Sequence, residues 1–175
     1  MKRKYLAITA AALALSMLST TAAFAQGWGK VGSKWFYYNE DGSCAKNMWI
    51  TEQNEDGTPK PSYWVNNDGT MAVSQWVNDG NGWVYVDGNG VTMASQLLVL
   101  NSDTYYLKED GRMAAGEWIK EEGKWYYFQD NGIALKNGWK TVGDESYYFL
   151  KNCVLATDAL VPGGGRVDSE GRLVK

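Results

Sequence analysis

The chain has 175 residues, a formal net charge of −3, two cysteines, nine tryptophans, eleven tyrosines, four phenylalanines and no histidine. Without histidine it lacks the usual general base, the base of Ser–His and Cys–His nucleophile pairs and the commonest zinc ligand. Its acidic balance argues against nucleic acid or an anionic membrane as partner and suits a cationic one.

In chain order, the first element is basic and then apolar: Met1, Lys2, Arg3 and Lys4 lead into the stretch from Tyr5 to Leu18, and Ala23-Phe24-Ala25 follows. This order predicts a cleavable signal peptide over residues 1–25, too short in its apolar part to span a bilayer comfortably, with Gln26 as the new N-terminus. Three of the seventeen Lys and Arg leave with it, so the mature chain carries fourteen basic against twenty acidic residues, a net of minus six. No second long apolar run and no sortase-type or lipidation signal follows, so membrane insertion is not expected. The expected location is outside the cell, where the chain is held by non-covalent binding or not held at all.

The body is periodic. Trp28, Trp49, Trp76, Leu97, Trp118, Trp139 and Leu160 recur at a step of twenty-one residues with one step of twenty-seven, and Gly42, Gly69, Gly90, Gly111 and Gly132 keep the same step and the same exception. Two markers in register define an internal repeat. The six extra residues fall in the polar stretch Thr51 to Pro61. The pattern predicts six repeats over residues 26–157 and a degenerate closing hairpin over 158–175.

Within a unit, Lys124-Trp125-Tyr126-Tyr127-Phe128 is rich in β-formers, Gln129-Asp130-Asn131-Gly132 is turn chemistry, and Ile133-Ala134-Leu135 is expected to return as the second strand of a hairpin. The same order recurs at Trp35-Phe36-Tyr37-Tyr38 before Asp41-Gly42 and at Tyr105-Tyr106-Leu107 before Asp110-Gly111. One such hairpin cannot bury enough apolar surface to stand alone, so the units must stack. Acidic residues such as Asp41, Asp68, Asp87, Asp110 and Asp130 fall in turn positions where Asx turns account for them, and no catalytic pair of carboxylates or calcium loop is evident. Cys44 and Cys153 belong to the first and sixth hairpins. With stacked layers about 10 Å apart they should lie well beyond the roughly 7 Å Cα limit for a bridge, leaving two free thiols.

Gly138-Trp139-Lys140, Glu117-Trp118-Ile119-Lys120 and Gly123-Lys124-Trp125-Tyr126-Tyr127-Phe128 resemble the two halves of choline-binding, or cell-wall-binding, repeats. The resemblance covers essentially all of the mature chain. The tail, with Gly163-Gly164-Gly165 and Ser169-Glu170-Gly171, is similar to the irregular final hairpin of such modules in bacterial autolysins. Related repeats form glucan-binding domains of glucosyltransferases and terminal domains of clostridial toxins. The resemblance implies an all-β fold, a left-handed superhelix or solenoid of stacked hairpins, with ligand sites between consecutive hairpins and a tendency to form a homodimer. In this family a separate hydrolase domain commonly supplies any catalysis.

Counting from the marker and allowing for the insertion, all nine tryptophans take three places: Trp28, Trp49, Trp76, Trp118 and Trp139 at the marker, Trp35, Trp83 and Trp125 at plus seven, and Trp64 at plus nine. A quaternary ammonium has charge without hydrogen-bond donors, so its natural receptor is a box of π-faces, at about 0.5 to 2 kcal/mol per ring. Marker and plus-seven tryptophans coexist in alternate hairpins only. The expected boxes are Trp28 and Trp35 closed by Trp64, Trp76 and Trp83 closed by Tyr106, and Trp118 and Trp125 closed by Tyr148. Met71, Met113 and Leu155 are expected to add a soft apolar wall, and the tyrosines and phenylalanines at plus eight and plus ten to form core.

The reading is a non-catalytic surface-binding module with no cofactor and no metal, whose partner is choline on teichoic acids. The alternatives are a glucan or other surface glycan, or an adaptor that uses its repeats to dimerise, because stacking rings accept trimethylammonium groups and sugar faces alike. Mass spectrometry of the exported protein should give Gln26 as the first residue; a mature chain that retains residues 1–25 would contradict the signal assignment.

Overall fold

Short β-forming runs interrupted by tight turns pair with their nearest neighbours in sequence, and this governs the whole fold. The computed structural model describes residues 26–58 and 60–174. The expected signal segment and Pro59 of the insertion lie outside them. Among the described residues there is no helix; fourteen strands pair as seven antiparallel hairpins.

The hairpins are β1 (Gly27–Val31) with β2 (Lys34–Tyr38), β3 (Met48–Ile50) with β4 (Tyr63–Val65), and β5 (Gln75–Asn78) with β6 (Trp83–Val86). They continue as β7 (Gln96–Leu100) with β8 (Asp103–Leu107), β9 (Glu117–Glu121) with β10 (Lys124–Phe128), and β11 (Gly138–Val142) with β12 (Glu145–Phe149). The last is β13 (Ala159–Leu160) with β14 (Arg166–Val167), only two residues a side. The chain divides after Thr92 into two compact units, the first holding three hairpins and the second four.

The pairing corrects one expectation. The strand Lys124–Phe128 was expected to pair with Ile133–Leu135, but its partner is the marker strand Glu117–Glu121. The reason lies in the turns. Glu122 and Gly123 have φ of 47° and 77°, and Asn101 and Ser102 have 49° and 73°. Two successive left-handed residues are the turn whose twist matches a tight hairpin. The later segment is instead shared between two hairpins: Ala134 N–H donates to Thr104 O of the preceding hairpin at 2.8 Å, and Leu135 N–H to Tyr127 O of its own at 2.8 Å. It therefore makes a single bridge, Phe128 to Ala134, and no strand.

Side chains supply much of the turn chemistry. Asp41 Oδ1 accepts from Ser43 N and Oγ at 2.9 and 2.6 Å, and Asp68 Oδ1 accepts from Thr70 N and Oγ1 at the same distances. These bonds hold both carboxyls below the usual carboxylate range. The insertion copies this turn: Asp56 Oδ1 accepts from Thr58 N and Oγ1, and Asn54 N donates to Thr58 O as Asn39 N donates to Ser43 O. In the fifth hairpin the acceptor is Asn131, bonded to Ile133 N at 3.0 Å, rather than Asp130.

Between hairpins the chain turns a corner at the residue two before each marker. Asn47, Ser74, Ser95, Gly116, Asn137 and Asp158 all have φ between 47° and 67°. Each donates its N–H to the following hairpin, for example Ser95 to Lys108 O at 3.1 Å and Asn137 to Leu150 O at 3.3 Å. The next residues present marker and plus-nine side chains on one face of the hairpin and plus-eight and plus-ten side chains on the other, as strand alternation requires. In the first unit, Trp28 and Tyr37 of the first hairpin pack with Ile50 and Val65 of the second, whose Trp49 and Trp64 pack on Val77, Val84 and Val86 of the third. In the second unit, Leu97 and Tyr106 pack on Tyr126 and Phe128, Trp118 and Tyr127 on Tyr147 and Phe149, and Tyr148 on Val161 and Val167. Plus-ten positions Val65, Val86, Leu107, Phe128 and Phe149 are fully buried.

The turn glycines have a packing role as well as a conformational one. A Cβ on Gly90 would fall against Met71, one on Gly132 into the Met113 thioether, and one on Gly171 against Leu155. In the sixth hairpin the glycine position is taken by Cys153, left-handed at φ 67° and buried, and the residue that packs near it is the small Ala134. Both cysteines are free thiols. Gly132→Ala should lower stability by about 2 to 4 kcal/mol, from a left-handed φ of 80° and overpacking together. In urea melts, a cycle with Met113→Ala should return at least about 1 kcal/mol of coupling; additive losses would place the whole effect in the backbone.

Candidate functional site

The aromatic rings sort into two kinds of interface. Where the first hairpin faces the second and the fifth faces the sixth, the plus-seven tryptophan belongs to a partly exposed ring cluster; where the plus-seven residue is Ser62 or Thr104, the interface is filled with apolar side chains. The clearest example of the first kind lies between the fifth and sixth hairpins. Trp118 stands edge-on to Trp125 at 6.3 Å between ring centroids and to its cross-strand partner Tyr127 at 5.5 Å. From the sixth hairpin it meets Tyr147 at 5.1 Å and Phe149 at 5.3 Å. Trp125 remains 42% exposed, and its carbonyl accepts from Leu155 N at 2.9 Å, so its backbone is pinned by the facing hairpin. The first and second hairpins repeat the arrangement. Trp28 lies 5.3 Å from Tyr37 and 5.5 Å from Tyr63, with Trp35 on the same face and its carbonyl bonded to Met71 N at 2.8 Å.

Lysine ammonium groups lie beside these rings. Lys30 and Lys120 are the cross-strand partners of Trp35 and Trp125, and each Nζ lies 5.6 Å from its tryptophan centroid. Lys140 of the sixth hairpin reaches back over Tyr127 at 4.5 Å. It also lines an open groove of about 320 Å³ with Gln129, Asp130 and Asn131.

The filled interfaces differ in chemistry. Trp49 donates its indole N–H to Asp79 Oδ2 at 2.9 Å and lies with Trp64 against three valines. Tyr106 contacts Phe128 at 6.1 Å and donates its hydroxyl to Glu121 at 3.1 Å. Burial first, and then that bond, raises the Tyr106 phenol above its ordinary value. Tyr37 and Tyr126 are raised as well, chiefly by burial.

The expected site residues are therefore only partly brought together. Trp28 with Trp35, and Trp118 with Trp125, share their faces as expected. The closing ring differs: Tyr63 and Tyr147, at plus eight, meet the marker tryptophans, whereas Trp64 and Tyr148 point to the opposite face. There Trp64 pairs with Trp49 at 5.3 Å and Tyr148 with Trp139 at 5.1 Å. The cause is strand parity, since plus nine shares a face with its own marker. Tyr148 is 6% exposed and is core. The Met71 and Met113 side chains cover Gly90 and Gly132 of the following hairpins. Tyr106 likewise faces the fifth hairpin. Trp76 pairs with Tyr85 at 5.2 Å and Trp83 is 46% exposed, both in the first unit, whereas Tyr106 and Met113 belong to the second. A signal for the missed residues was present: plus eight is tyrosine in the second, fourth and sixth hairpins, as Tyr63, Tyr105 and Tyr147.

Among the described residues no group of three or more metal-ligating side chains occurs, and no helix is long and apolar enough to cross a membrane. Residues 94–139 match the family model for the choline-binding repeat, and residues 26–44 and 137–152 match the model for a cell wall binding repeat. Curated protein sequences yield no match. Among solved structures the chain is similar to CbpJ from Streptococcus pneumoniae TIGR4, with 28% identity and a TM-score of 0.63 over 85% of this chain and 48% of that one. It is similar to choline binding protein F from Streptococcus pneumoniae, with 25% identity and a TM-score of 0.54 over 86% and 57%. In fold it is similar to the choline-binding domain of CbpL from the same organism, with 24% identity and a TM-score of 0.50 over 87% and 98%. The chain thus spans about half of the length of CbpJ.

Tyr148→Ala should cost about 3 to 5 kcal/mol in a denaturant melt, as removal of a buried aromatic does. A loss below 1 kcal/mol would return this ring to the surface.

Proposed function

We propose that this chain, which carries choline-binding and cell wall binding repeats, is a non-catalytic module that holds quaternary ammonium groups of cell-wall choline in the ring clusters between the first and second and between the fifth and sixth hairpins. The observation that carries the reading is the cluster around Trp118. Several π-faces from two hairpins converge there beside an exposed Trp125, a receptor suited to a cation that has no hydrogen-bond donor. The first and second hairpins repeat it with Trp28, Trp35 and Tyr63. We take the hairpins to continue as a left-handed solenoid, residues 1–25 to be an export signal, and the ligand to be choline carried on teichoic acid. Weak sites in a row facing a repetitive polymer gain by effective concentration, by a factor on the order of 10² to 10⁴ over a single site.

Calorimetric titration of the mature chain with choline tests this. Trp125→Ala and Tyr147→Ala should each weaken the fifth-hairpin site by about 1 to 2 kcal/mol, and Trp35→Ala the first-hairpin site alone. Saturable binding of soluble dextran with no choline response would favour a glycan ligand. Unchanged choline binding after Trp125→Ala in a folded protein would return these rings to a structural role.

A further inference from the structure

Lysine is an unexpected companion for a site that takes a cation. Lys30 and Lys120 stand directly across the ladder from the plus-seven tryptophans of the first and fifth hairpins, with each ammonium 5.6 Å from the ring it accompanies. In the third hairpin the residue across from Trp83 is Asn78. The fifth-hairpin cluster receives a second ammonium from the facing hairpin, Lys140 over Tyr127 at 4.5 Å. A bare quaternary ammonium bound among these rings would lie within a few ångströms of one or two like charges. The repulsion is appreciable even near water. A ligand that carries an anion close behind its ammonium reverses the sign of that interaction, since a lysine ammonium is a good point-charge partner for phosphate.

Resting on the choline reading above, we propose that Lys30, Lys120 and Lys140 make the first- and fifth-hairpin sites selective for choline in phosphate-ester linkage over the free choline cation. The rings hold the trimethylammonium group and the lysines hold the phosphate. Lys140 is placed to do so because it spans Tyr127 and the groove lined by Gln129, Asp130 and Asn131. The Asp130 carboxylate in that groove opposes the phosphate and favours an ester whose anion lies on the Lys140 side. Selectivity arises from charge placement on a common ring cluster, so it can be removed without removing the cluster.

The test titrates the mature chain with choline and with phosphocholine at low ionic strength, in the wild type and in a Lys30→Met, Lys120→Met, Lys140→Met variant checked for its fold by circular dichroism. Wild type should bind phosphocholine on the order of three- to thirtyfold more tightly than choline, and the preference should shrink as salt screens the lysines. In the triple variant the ratio should fall towards one, with choline binding tightened. In wild type, salt alone gives a second measurement that needs no substitution: a preference that is absent, or that salt does not change, overturns the inference. A preference undiminished in the triple variant also overturns it. Equal binding of both ligands sinks the role of the lysines and leaves the choline reading standing, whereas absence of binding by either ligand sinks the choline reading itself.

Discussion

The backbone bond from one hairpin to the carbonyl of the plus-seven residue before it is the interaction on which the rest depends. Met71 N to Trp35 O, Ala134 N to Thr104 O, Leu155 N to Trp125 O and Leu173 N to Ser146 O are the same contact at four steps of the repeat. A two-residue hairpin turn gives each unit its register, but a two-stranded ribbon has two open faces and too little burial to persist. The inter-hairpin bond fixes the spacing of one ribbon on the next, and only then do alternate side chains find a surface to cover. The residue that donates this bond does a second task. The Met71 and Leu155 side chains pack over the turn glycines Gly90 and Gly171 of the following hairpins, so each of these positions ties three hairpins together.

That arrangement explains a pattern of volumes. Where the side chain over the turn is Met71, Met113 or Leu155, the turn has glycine; where it is Ala134, the turn has Cys153. A large side chain and a bare backbone exchange places with a small side chain and a thiol, keeping the layer filled. The left-handed φ of these turn positions would suit glycine everywhere. Cys153 accepts some backbone strain at a place where Ala134 leaves space.

The rings follow from the same geometry. Marker and plus-nine side chains of one hairpin are always edge-to-face partners, at 5.1 to 5.5 Å where both are aromatic. Such pairs add about 0.5 to 1.5 kcal/mol beyond their burial. Whether an interface becomes a filled core or a partly exposed ring cluster is decided by two flanking positions. A plus-seven tryptophan adds a ring at the groove edge, and a plus-eight tyrosine on the facing hairpin completes the cluster; valines at plus eight and plus ten, as at Val84 and Val86, close the interface instead.

The sequence by itself determined the repeat, the all-β class, the alternation of tryptophan pairs and the Asx turns, because these depend on composition and spacing that a single unit already displays. It also placed Trp28 with Trp35 and Trp118 with Trp125 on shared hairpin faces, as the strand pairing does. Only the tertiary structure decided which strand partners which and which ring closes each cluster. The Ile133–Leu135 segment has the composition of a strand, yet its hydrogen bonds are divided between two hairpins, a fact held in contacts thirty residues apart. Tyr147 and Tyr148 are indistinguishable as letters. Their opposite fates, groove and core, follow from strand parity once the marker strand is known to be the partner, and that parity is a property of the pairing rather than of either residue.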